Sequence, residues 1–186
     1  MEKLLVGVTG ASGAPYAVAF LEVLRELGVE SEVVITRPGE EVLRHETGFS
    51  LEDLGRLTRR IYREDEISAP PASGSAPYRA MVIIPCSMGT LSAVAQGAAR
   101  NLLQRAADVM LKERKPLVLV VRETPLNLIH LKNMLAAAEA GATIYPAMPA
   151  FYHRPKDLRE VVEFFVKRLA EFLGFEIKDL KRWEGT

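Results

Sequence analysis

The sequence has only one cysteine, carries no net charge and lacks a long apolar run, and each of these features excludes a class of protein. Cys86 is the one cysteine among 186 residues, so an internal disulfide is impossible and we expect a reducing compartment. Lys plus Arg and Asp plus Glu both number 24, so no overall basic field favours nucleic acid. No apolar run reaches the roughly 18 residues of a membrane-spanning helix, and the N-terminus lacks a signal-peptide pattern. We therefore expect a cytoplasmic protein that binds neither nucleic acid nor membrane.

The remaining composition is that of an ordinary globular protein. Hydrophobic residues make up 48% of the chain and charged residues 26%. A chain of this length is large enough for a sizeable core, and neither an internal repeat nor a linker divides it. We therefore predict one domain over residues 1–186.

Short apolar runs alternate with segments of helical periodicity along the whole chain. The continuous apolarity of the runs suits strands that are covered on both faces, as in a parallel sheet. The alternation predicts a three-layer α/β sandwich with a mostly parallel sheet. The predicted strands cover 3–9, 30–36, 80–84, 116–121 and 142–145. The predicted helices cover 14–27, 39–47, 88–97, 101–113, 126–140 and 156–173. The last helix carries an apolar stripe of Leu158, Val161, Val162, Phe165, Leu169 and Phe172.

The first predicted strand leads into a glycine-rich turn, Gly7-Val8-Thr9-Gly10-Ala11-Ser12-Gly13. Between a parallel strand and a helix, such a turn points free backbone N–H groups and the positive end of the helix dipole at a phosphate. The spacing GxxGxxG differs from the GxGxxG of the usual dinucleotide fingerprint, so alone it is a weak signal. A tight turn without a ligand remains the alternative.

A second strand-to-helix turn, Pro85-Cys86-Ser87-Met88-Gly89-Thr90, follows the strand at 80–84. Two such turns at the carboxyl ends of neighbouring strands would face one crevice. Ser87 and Thr90 can equally serve to cap the following helix. Cys86 has no histidine partner in a recognisable arrangement, so we interpret it as a buried structural thiol.

Several charged and aromatic residues are candidates for an anion site. Arg105 and Lys112 lie seven residues apart in a predicted helix, and Arg122 closes the next strand. Taken singly, each basic residue is more simply a solvated ion-pair partner, as Arg105 would be for Asp108. Their coincidence with two phosphate-type turns favours a local anion site. The loops at 68–78 and 146–155 lie beside predicted strands, where open α/β sheets usually bind ligands, although either loop taken alone fits a surface linker equally well.

These motifs, taken together and in order, closely resemble those of the UbiX-type flavin prenyltransferases. The resemblance covers essentially the whole chain. It rests on the motifs at 9–13, 69–75, 85–90, 101–102, 105–109, 111–114, 122–125, 129–134, 149–152 and 182–183.

The resemblance implies a fold, a reaction and partners. The fold is a Rossmann or flavodoxin-like subunit, assembled as a homo-dodecamer with flavin sites between subunits. The reaction joins a dimethylallyl group from dimethylallyl phosphate to N5 and C6 of reduced FMN, and the prenylated flavin serves UbiD-type decarboxylases, including those of ubiquinone biosynthesis. No metal is expected, because basic residues take its place at the phosphate and an Asp-rich magnesium motif is missing.

The resemblance also assigns roles to individual residues. The residues matched to FMN binding are Gly10, Ala11, Ser12, Thr36, Ser87, Met88, Gly89, Thr90 and Arg122. Those matched to the prenyl phosphate are Arg105, Lys112, Glu123, Tyr152 and Arg168. The catalytic set is Ser12, Glu46, Lys112 and Glu123, with Ser12 and Glu46 managing protons at the flavin and Glu123 at the phosphate. One departure is Ile67-Ser68, where some relatives carry a tryptophan, and it affects the expected shape of the prenyl pocket.

Three other functions remain as alternatives. An FMN-dependent cysteine decarboxylase of the same fold would carry a PASANT-like motif and a catalytic histidine, whereas residues 71–75 read Pro-Ala-Ser-Gly-Ser and lack its asparagine. A non-catalytic flavin carrier would need the glycine turns without the basic residues. A nucleotide-dependent reductase would use Tyr152 and Lys156 in a YxxxK helix, which Pro155 would disrupt.

Overall fold

The computed structural model describes residues 3–183 and residue 185, and its strands form one six-stranded sheet. The strands are β1 (Lys3–Val8), β2 (Ser31–Ile35), β3 (Arg60–Arg63), β4 (Tyr78–Cys86), β5 (Leu117–Val121) and β6 (Thr143–Ile144). Their order is β3-β2-β1-β4-β5-β6, and each of these neighbouring pairs is parallel. The predicted parallel sheet is therefore confirmed.

Helices cover both faces of the sheet. They are α1 (Ala14–Glu26), α2 (Arg37–Thr47), α3 (Leu51–Gly55), α4 (Met88–Gln96), α5 (Leu102–Lys112), α6 (Leu128–Glu139) and α7 (Leu158–Phe172), with a 3-10 turn at Pro70–Ala72. Alternate strand residues enter two separate cores: Leu4 and Val6 pack with α1 and α7, whereas Leu5 packs with α4 and α5. This is the predicted three-layer sandwich. In the part of the chain that the structure describes, no helix is both long and apolar enough to span a membrane.

The structure adds two elements that the sequence did not predict, β3 and α3. Among the described strands β3 pairs only with β2, so it is an edge strand, and its sequence Arg-Ile-Tyr-Arg lacks the apolar run of an internal strand. The predicted stripe on α7 is only partly correct. Its middle is buried, but Leu158 and Phe172 at the two ends are 74% and 55% exposed.

The direction of the strands places the two halves of the chain around one crevice. The chain runs outward from β1 to β3, then returns to lay β4 against the other side of β1. Ligands of open α/β sheets bind at such a reversal, outside the carboxyl ends of the strands. We call this end of the sheet the carboxyl edge, and the end where strands begin the amino edge. The loop at 9–13 follows β1, the loop that begins at Ser87 follows β4, and both flank the crevice.

The two loops that the sequence singled out beside predicted strands meet opposite ends of the sheet. Residues 64–77 carry the chain from the end of β3 to the start of β4, so residues 73–77 lie at the amino edge. They are therefore at the opposite end of the subunit from the crevice. Proximity to a strand in sequence does not tell which end of that strand a loop meets.

The amino edge holds a buried polar cluster, with one side chain from each of four neighbouring strands. Glu32 on β2 accepts hydrogen bonds from Lys3 on β1 (2.7 Å), Tyr78 on β4 (2.5 Å) and Tyr62 on β3 (3.1 Å). Burial alone would raise the pKa of the Glu32 carboxyl, but these three donors together hold the pKa below its ordinary value. We call these four residues the Glu32 cluster.

Candidate functional site

The loop after β1 is shaped by two glycines for different reasons. Gly13 has φ +122°, a conformation that side chains disfavour. A Cβ on Gly10 would lie 2.5 Å from the Cβ of Pro38, so only glycine lets the start of α2 pack against this loop. The backbone N–H groups of Gly10, Ala11 and Ser12 donate no hydrogen bond to another described residue. The loop therefore presents free donors in front of α1, as anion binding requires.

Thr9 joins this loop to the loop after β4. Its buried hydroxyl donates to the carbonyl oxygen of Pro85 (2.6 Å) and accepts from the backbone N–H of Ser87 (3.0 Å). Sequence reasoning assigned no role to Thr9, and its place next to Gly10 was the only signal available. The two predicted turns are thus held side by side by one threonine.

The loop after β4 begins α4. The hydroxyl of Ser87 accepts from the backbone N–H of Thr90 (3.3 Å), which confirms the capping alternative for Ser87, and Thr90 itself lies buried in the first turn. The N–H groups of Met88 and Gly89 have no acceptor among the described residues. No atom lies within 4 Å of the place a Cβ on Gly89 would take, so open space lies in front of this turn.

Thr36 lies beneath the crevice at the start of α2. Its buried hydroxyl accepts from the backbone N–H of Gly39 (3.1 Å) and lies 3.4 Å from the carbonyl oxygen of Val8. This hydroxyl is therefore already hydrogen-bonded within the chain, and its observed role is to cap α2.

Glu46 provides the negative charge at the start of α1. Its carboxylate accepts from the backbone N–H groups of Gly13 and Ala14, both at 2.9 Å. Burial would raise the pKa of Glu46, but the Ser12 hydroxyl, these two N–H groups and the Arg122 guanidinium together hold it below its ordinary value. Glu46 is therefore ionised at neutral pH, and it lies against the glycine-rich loop with the Arg122 charge nearby.

Tyr152 and Arg168 line one cavity of about 400 Å³ near the end of β6. Its other walls are apolar or aromatic, namely Ile144, Tyr145, Pro146, Met148, Ala150, Phe164 and Phe165. Tyr152 packs edge-on against Phe164 at 5.5 Å, and Arg168 follows Phe164 by one helical turn and pairs with Glu171. An apolar chamber with one guanidinium and one phenol fits a short hydrocarbon with an anionic head group. We call it the Arg168 cavity.

Aromatic packing connects this cavity to the crevice. Phe165 in its wall lies 4.8 Å from the ring of Tyr16 and 5.5 Å from that of Tyr145. Tyr16 belongs to the first turn of α1, directly after the glycine-rich loop. Burial raises the pKa of Tyr16 and the nearby Arg122 charge opposes this rise. The cavity and the crevice therefore lie on the same side of the subunit.

The remaining predicted substrate residues are not brought together within one chain. Glu123 follows β5 at the carboxyl edge and is exposed, whereas Lys112 ends α5 and lies at the amino edge beside Glu113. Arg105 lies two turns earlier on α5 and pairs with Asp108 at 2.5 Å. The 11 residues of α5 span about 16 Å between the two edges. One copy of the chain therefore does not assemble the predicted phosphate site.

Two further predictions concern single residues. Cys86 is fully buried, and burial raises the pKa of its thiol to about 12, so it is a neutral thiol as predicted. Ile67, which stands where some relatives have tryptophan, is half exposed just before the 3-10 turn.

Comparison with known proteins identifies the family. The family model described as Flavoprotein matches residues 1–170. The chain is 46% identical over 183 residues to a probable UbiX-like flavin prenyltransferase of Bacillus subtilis, covering 98% of this chain and 90% of that protein. The chain belongs to the UbiX flavin prenyltransferase family. A further member, the flavin prenyltransferase UbiX of Methanothermobacter thermautotrophicus, is 43% identical to this chain. The matched segment covers 100% of this chain and 97% of that protein.

Solved structures of this family have the same fold. The structure of AnUbiX (PadA1) in complex with FMN and dimethylallyl pyrophosphate matches with a TM-score of 0.96, 38% identity and coverage of 100% and 98% of the two chains. A dodecameric FMN-dependent UbiX-like decarboxylase from Escherichia coli O157:H7 matches at 0.95 with 42% identity, over 98% and 100%. The FMN-dependent cysteine decarboxylase TvaF is only 17% identical, with a TM-score of 0.65, and shares the fold alone. The predicted flavodoxin-like architecture is confirmed.

Proposed function

We propose that this chain is a flavin prenyltransferase that acts on dimethylallyl phosphate and reduced FMN. The dimethylallyl group is joined to N5 and C6 of the flavin, and the prenylated FMN becomes the cofactor of UbiD-type decarboxylases, including those of ubiquinone biosynthesis. The observation that carries the proposal is the Arg168 cavity, an apolar chamber with an anion-binding end, beside a glycine-rich crevice. The complex of a 38% identical relative with FMN and dimethylallyl pyrophosphate supports both ligands.

The crevice between β1 and β4 suits FMN in the donors that it presents. Free N–H groups at 10–12 and 88–89, the exposed Arg122 and the open space before Gly89 are the features that an anionic, flat ligand requires. When bound, reduced FMN supplies the electron-rich N5 and C6 atoms that take up the dimethylallyl group. The residues that would hold it are Gly10, Ala11, Ser12, Ser87, Met88, Gly89, Thr90 and Arg122, with Thr36 beneath them, where its hydroxyl caps α2.

The basic residues are assigned to the phosphate that leaves. As the carbon–oxygen bond of dimethylallyl phosphate breaks, negative charge accumulates on the phosphate oxygens. Arg168 donates two hydrogen bonds in a fixed fork, and Tyr152 donates one from its hydroxyl. The walls around these groups are apolar, and once the bound substrate covers them, their electrostatic effect on the departing phosphate is larger than in solvent. The positive charges of Arg105 and Lys112 replace a metal ion at this position.

Glu46, Ser12 and Glu123 are assigned to proton transfer. Because its pKa is held below the ordinary value, Glu46 accepts a proton at neutral pH and does not donate one. The Ser12 hydroxyl, which helps to lower the pKa of this carboxylate, is assigned to pass the proton between Glu46 and the flavin. Glu123, exposed at the end of β5, holds the proton that the leaving phosphate takes up.

The site is completed by a second copy of the chain. Lys112 lies at the amino edge, about the length of α5 from its own crevice, so it acts at the flavin site of an adjoining copy. Helix α6 exposes four large apolar side chains, Leu128, Ile129, Leu131 and Leu135, which suits burial between copies. We therefore propose that the protein is a cytoplasmic homo-oligomer of one-domain subunits. The proposed assembly is a dodecamer, like that of the Escherichia coli relative.

The deciding experiment is anaerobic incubation of the protein with reduced FMN and an allylic substrate, followed by mass spectrometry of the flavin. We expect a mass gain of one C₅H₈ unit with dimethylallyl phosphate. A parallel reaction with dimethylallyl pyrophosphate determines which of the two head groups the site accepts. Bound FMN of unchanged mass with both substrates would favour the flavin carrier, and CO₂ release from a peptide with C-terminal cysteine would favour the decarboxylase.

A further inference from the structure

The segment at 73–77 is held firmly against the C-terminal end of α5. Pro71 is buried in the preceding 3-10 turn, which packs on α5. The Lys115 ammonium donates to the carbonyl oxygen of Ala76 (3.2 Å), and the hydroxyls of Ser73 and Ser75 lie 2.9 Å apart. Gly74 stands between these two serines, facing the end of the helix.

Gly74 has no conformational need to be glycine. It is not among the glycines with positive φ, so its backbone conformation is open to residues with side chains. What the position lacks is space. A Cβ on Gly74 would lie 2.9 Å from the Lys112 nitrogen and 2.7 Å from the Glu113 carboxyl carbon, and closer still to one Glu113 oxygen.

The atoms that a side chain at position 74 would meet are the tips of flexible side chains. They can move aside at small cost to the fold, unlike the backbone atoms that a side chain at Gly39 would meet. The Lys112 ammonium now contacts the Glu113 carboxylate, and this contact lowers the pKa of Glu113. A side chain at 74 would therefore displace the Lys112–Glu113 pair while the helix and the loop keep their places.

We infer that Gly74 is a positioning residue for Lys112. Because Gly74 has no side chain, the Lys112 ammonium has room to point toward the phosphate of the allylic substrate. The inference rests on the proposed role of Lys112 at the flavin site of an adjoining copy. It adds that affinity for the phosphate is set partly by the room that position 74 leaves for the Lys112 side chain.

The test compares Gly74→Ala with Gly55→Ala and Lys112→Ala in the assembled protein. Gly55 is a matched control, because it ends a helix and the nearest atom to an added Cβ is 3.9 Å away. For Gly74→Ala we expect KM for dimethylallyl phosphate to rise about tenfold, with kcat, FMN affinity and thermal unfolding nearly unchanged. Lys112→Ala should raise KM further, and Gly55→Ala should change none of these quantities.

A rescue variant separates positioning from a merely structural role. Glu113→Ala removes the carboxylate that the new Cβ would meet most closely. In the double variant Gly74→Ala/Glu113→Ala, KM should therefore return to nearly the value of Glu113→Ala alone. The two substitutions would then be non-additive, and the difference measures the coupling energy between positions 74 and 113. A structural defect would instead lower the unfolding temperature and would not be rescued.

Two results would overturn the inference, and each leaves a different conclusion standing. Normal KM in Gly74→Ala, with an impaired Lys112→Ala, means that Gly74 does not position Lys112, and the proposed function is untouched. Normal KM in Lys112→Ala removes the phosphate role of Lys112 and the inference with it. Prenylation of FMN by the unmodified protein still decides the proposed function independently.

Discussion

The two edges of the same sheet use polar groups in opposite ways. At the amino edge, the Glu32 carboxylate lies buried and accepts three hydrogen bonds from three neighbouring strands. At the carboxyl edge, the N–H groups of the loops at 10–12 and 88–89 lack acceptors among the described residues, and Arg122 is exposed. Paired groups hold one edge together, whereas unpaired groups leave the other edge able to bind a ligand.

The difference follows from what each edge must do. A buried carboxylate is costly unless its partners are all present, so the Glu32 cluster ties the register of four strands to a single arrangement. Free N–H groups are tolerated at the carboxyl edge because water satisfies them until an anion replaces it. The variants below test this contrast, in order of decreasing effect.

The largest effect is expected from Glu32→Ala, which removes the acceptor that Lys3, Tyr62 and Tyr78 share. Breaking a buried ion pair by removing one partner typically costs about 3–5 kcal/mol. We expect a loss of this order in denaturant unfolding at fixed protein concentration. Glu52→Ala, which breaks an exposed pair with Arg56, is the control and should cost less than about 0.5 kcal/mol.

Acid should weaken the same cluster in the unmodified protein. The pKa of Glu32 in the folded state lies below its ordinary value of 4.5. Its stabilising contribution is therefore complete above about pH 4.5 and is lost as the pH falls through the lower, folded-state pKa. Stability of Glu32→Ala should fall less steeply over this range, and parallel pH curves would show that the cluster does not couple to folding.

The next largest effect is expected on the rate of prenyl transfer, from a substitution in the Arg168 cavity. Arg168→Ala removes a charge-assisted contact to a buried anion, so prenyl transfer at low dimethylallyl phosphate should fall roughly thirty- to a thousandfold. FMN occupancy should stay near normal, and Arg168→Lys should recover only part of the rate because a point charge lacks the two-pronged contact. Equal losses of FMN and activity would instead assign Arg168 to the flavin site or to the fold.

A smaller effect should appear at the free N–H groups themselves. Gly89→Ala adds a Cβ into open space, so the fold is unaffected or slightly stabilised by the better helix former. The same Cβ occupies room that FMN requires, and we expect FMN affinity to fall about tenfold or more by flavin fluorescence titration. Gly10→Ala is the contrasting variant, because its Cβ meets Pro38 and should lower stability and flavin binding together. Unchanged FMN affinity in Gly89→Ala would show that the flavin lies elsewhere.

The smallest effect is expected at His153, an unpaired group that lies outside the crevice. Its ring stacks on Phe164 at 3.8 Å, and neither ring nitrogen has a partner among the described residues. His153→Phe keeps the stacked ring and removes two orphaned nitrogens, so we expect a gain of about 1 kcal/mol or less in stability. Lower stability in this variant would mean that the nitrogens are paired in the assembled protein.

The sequence predicted the fold well because the signals for its internal elements are local. Continuous apolar runs predicted β1, β2, β4, β5 and β6 close to their observed positions, and the helices between them were predicted within one or two residues at most ends. β3 and α3 were missed because a four-residue edge strand and a five-residue helix carry too little apolar periodicity. Their positions depend on pairing with β2 and on packing, which are not local.

The residues of the candidate site were likewise predicted where the signal is local and missed where it is not. Glycine turns, Glu46, and the pair of Tyr152 and Arg168 were predicted from motifs, and the structure has all of them around the carboxyl edge, while their roles stay predictions. Thr9 and Pro38 were missed, since a hydroxyl that joins two loops 76 residues apart has no sequence pattern. Lys112 was predicted as part of the same constellation, but the structure separates it from the other members within one chain.

By itself, the sequence determined the parallel sheet, its flanking helices and the chemistry of the turns, because periodicity and glycine spacing are properties of short segments. Only the tertiary structure decided which polar groups are paired and which are free. Strand direction sends the loop at 73–77 and the end of α5 to the amino edge, while it gathers the loops after β1, β4 and β5 at the other. The physical reason is that a side chain's partners are set by the packing of distant segments, which determines whether its charge is neutralised or available to a ligand.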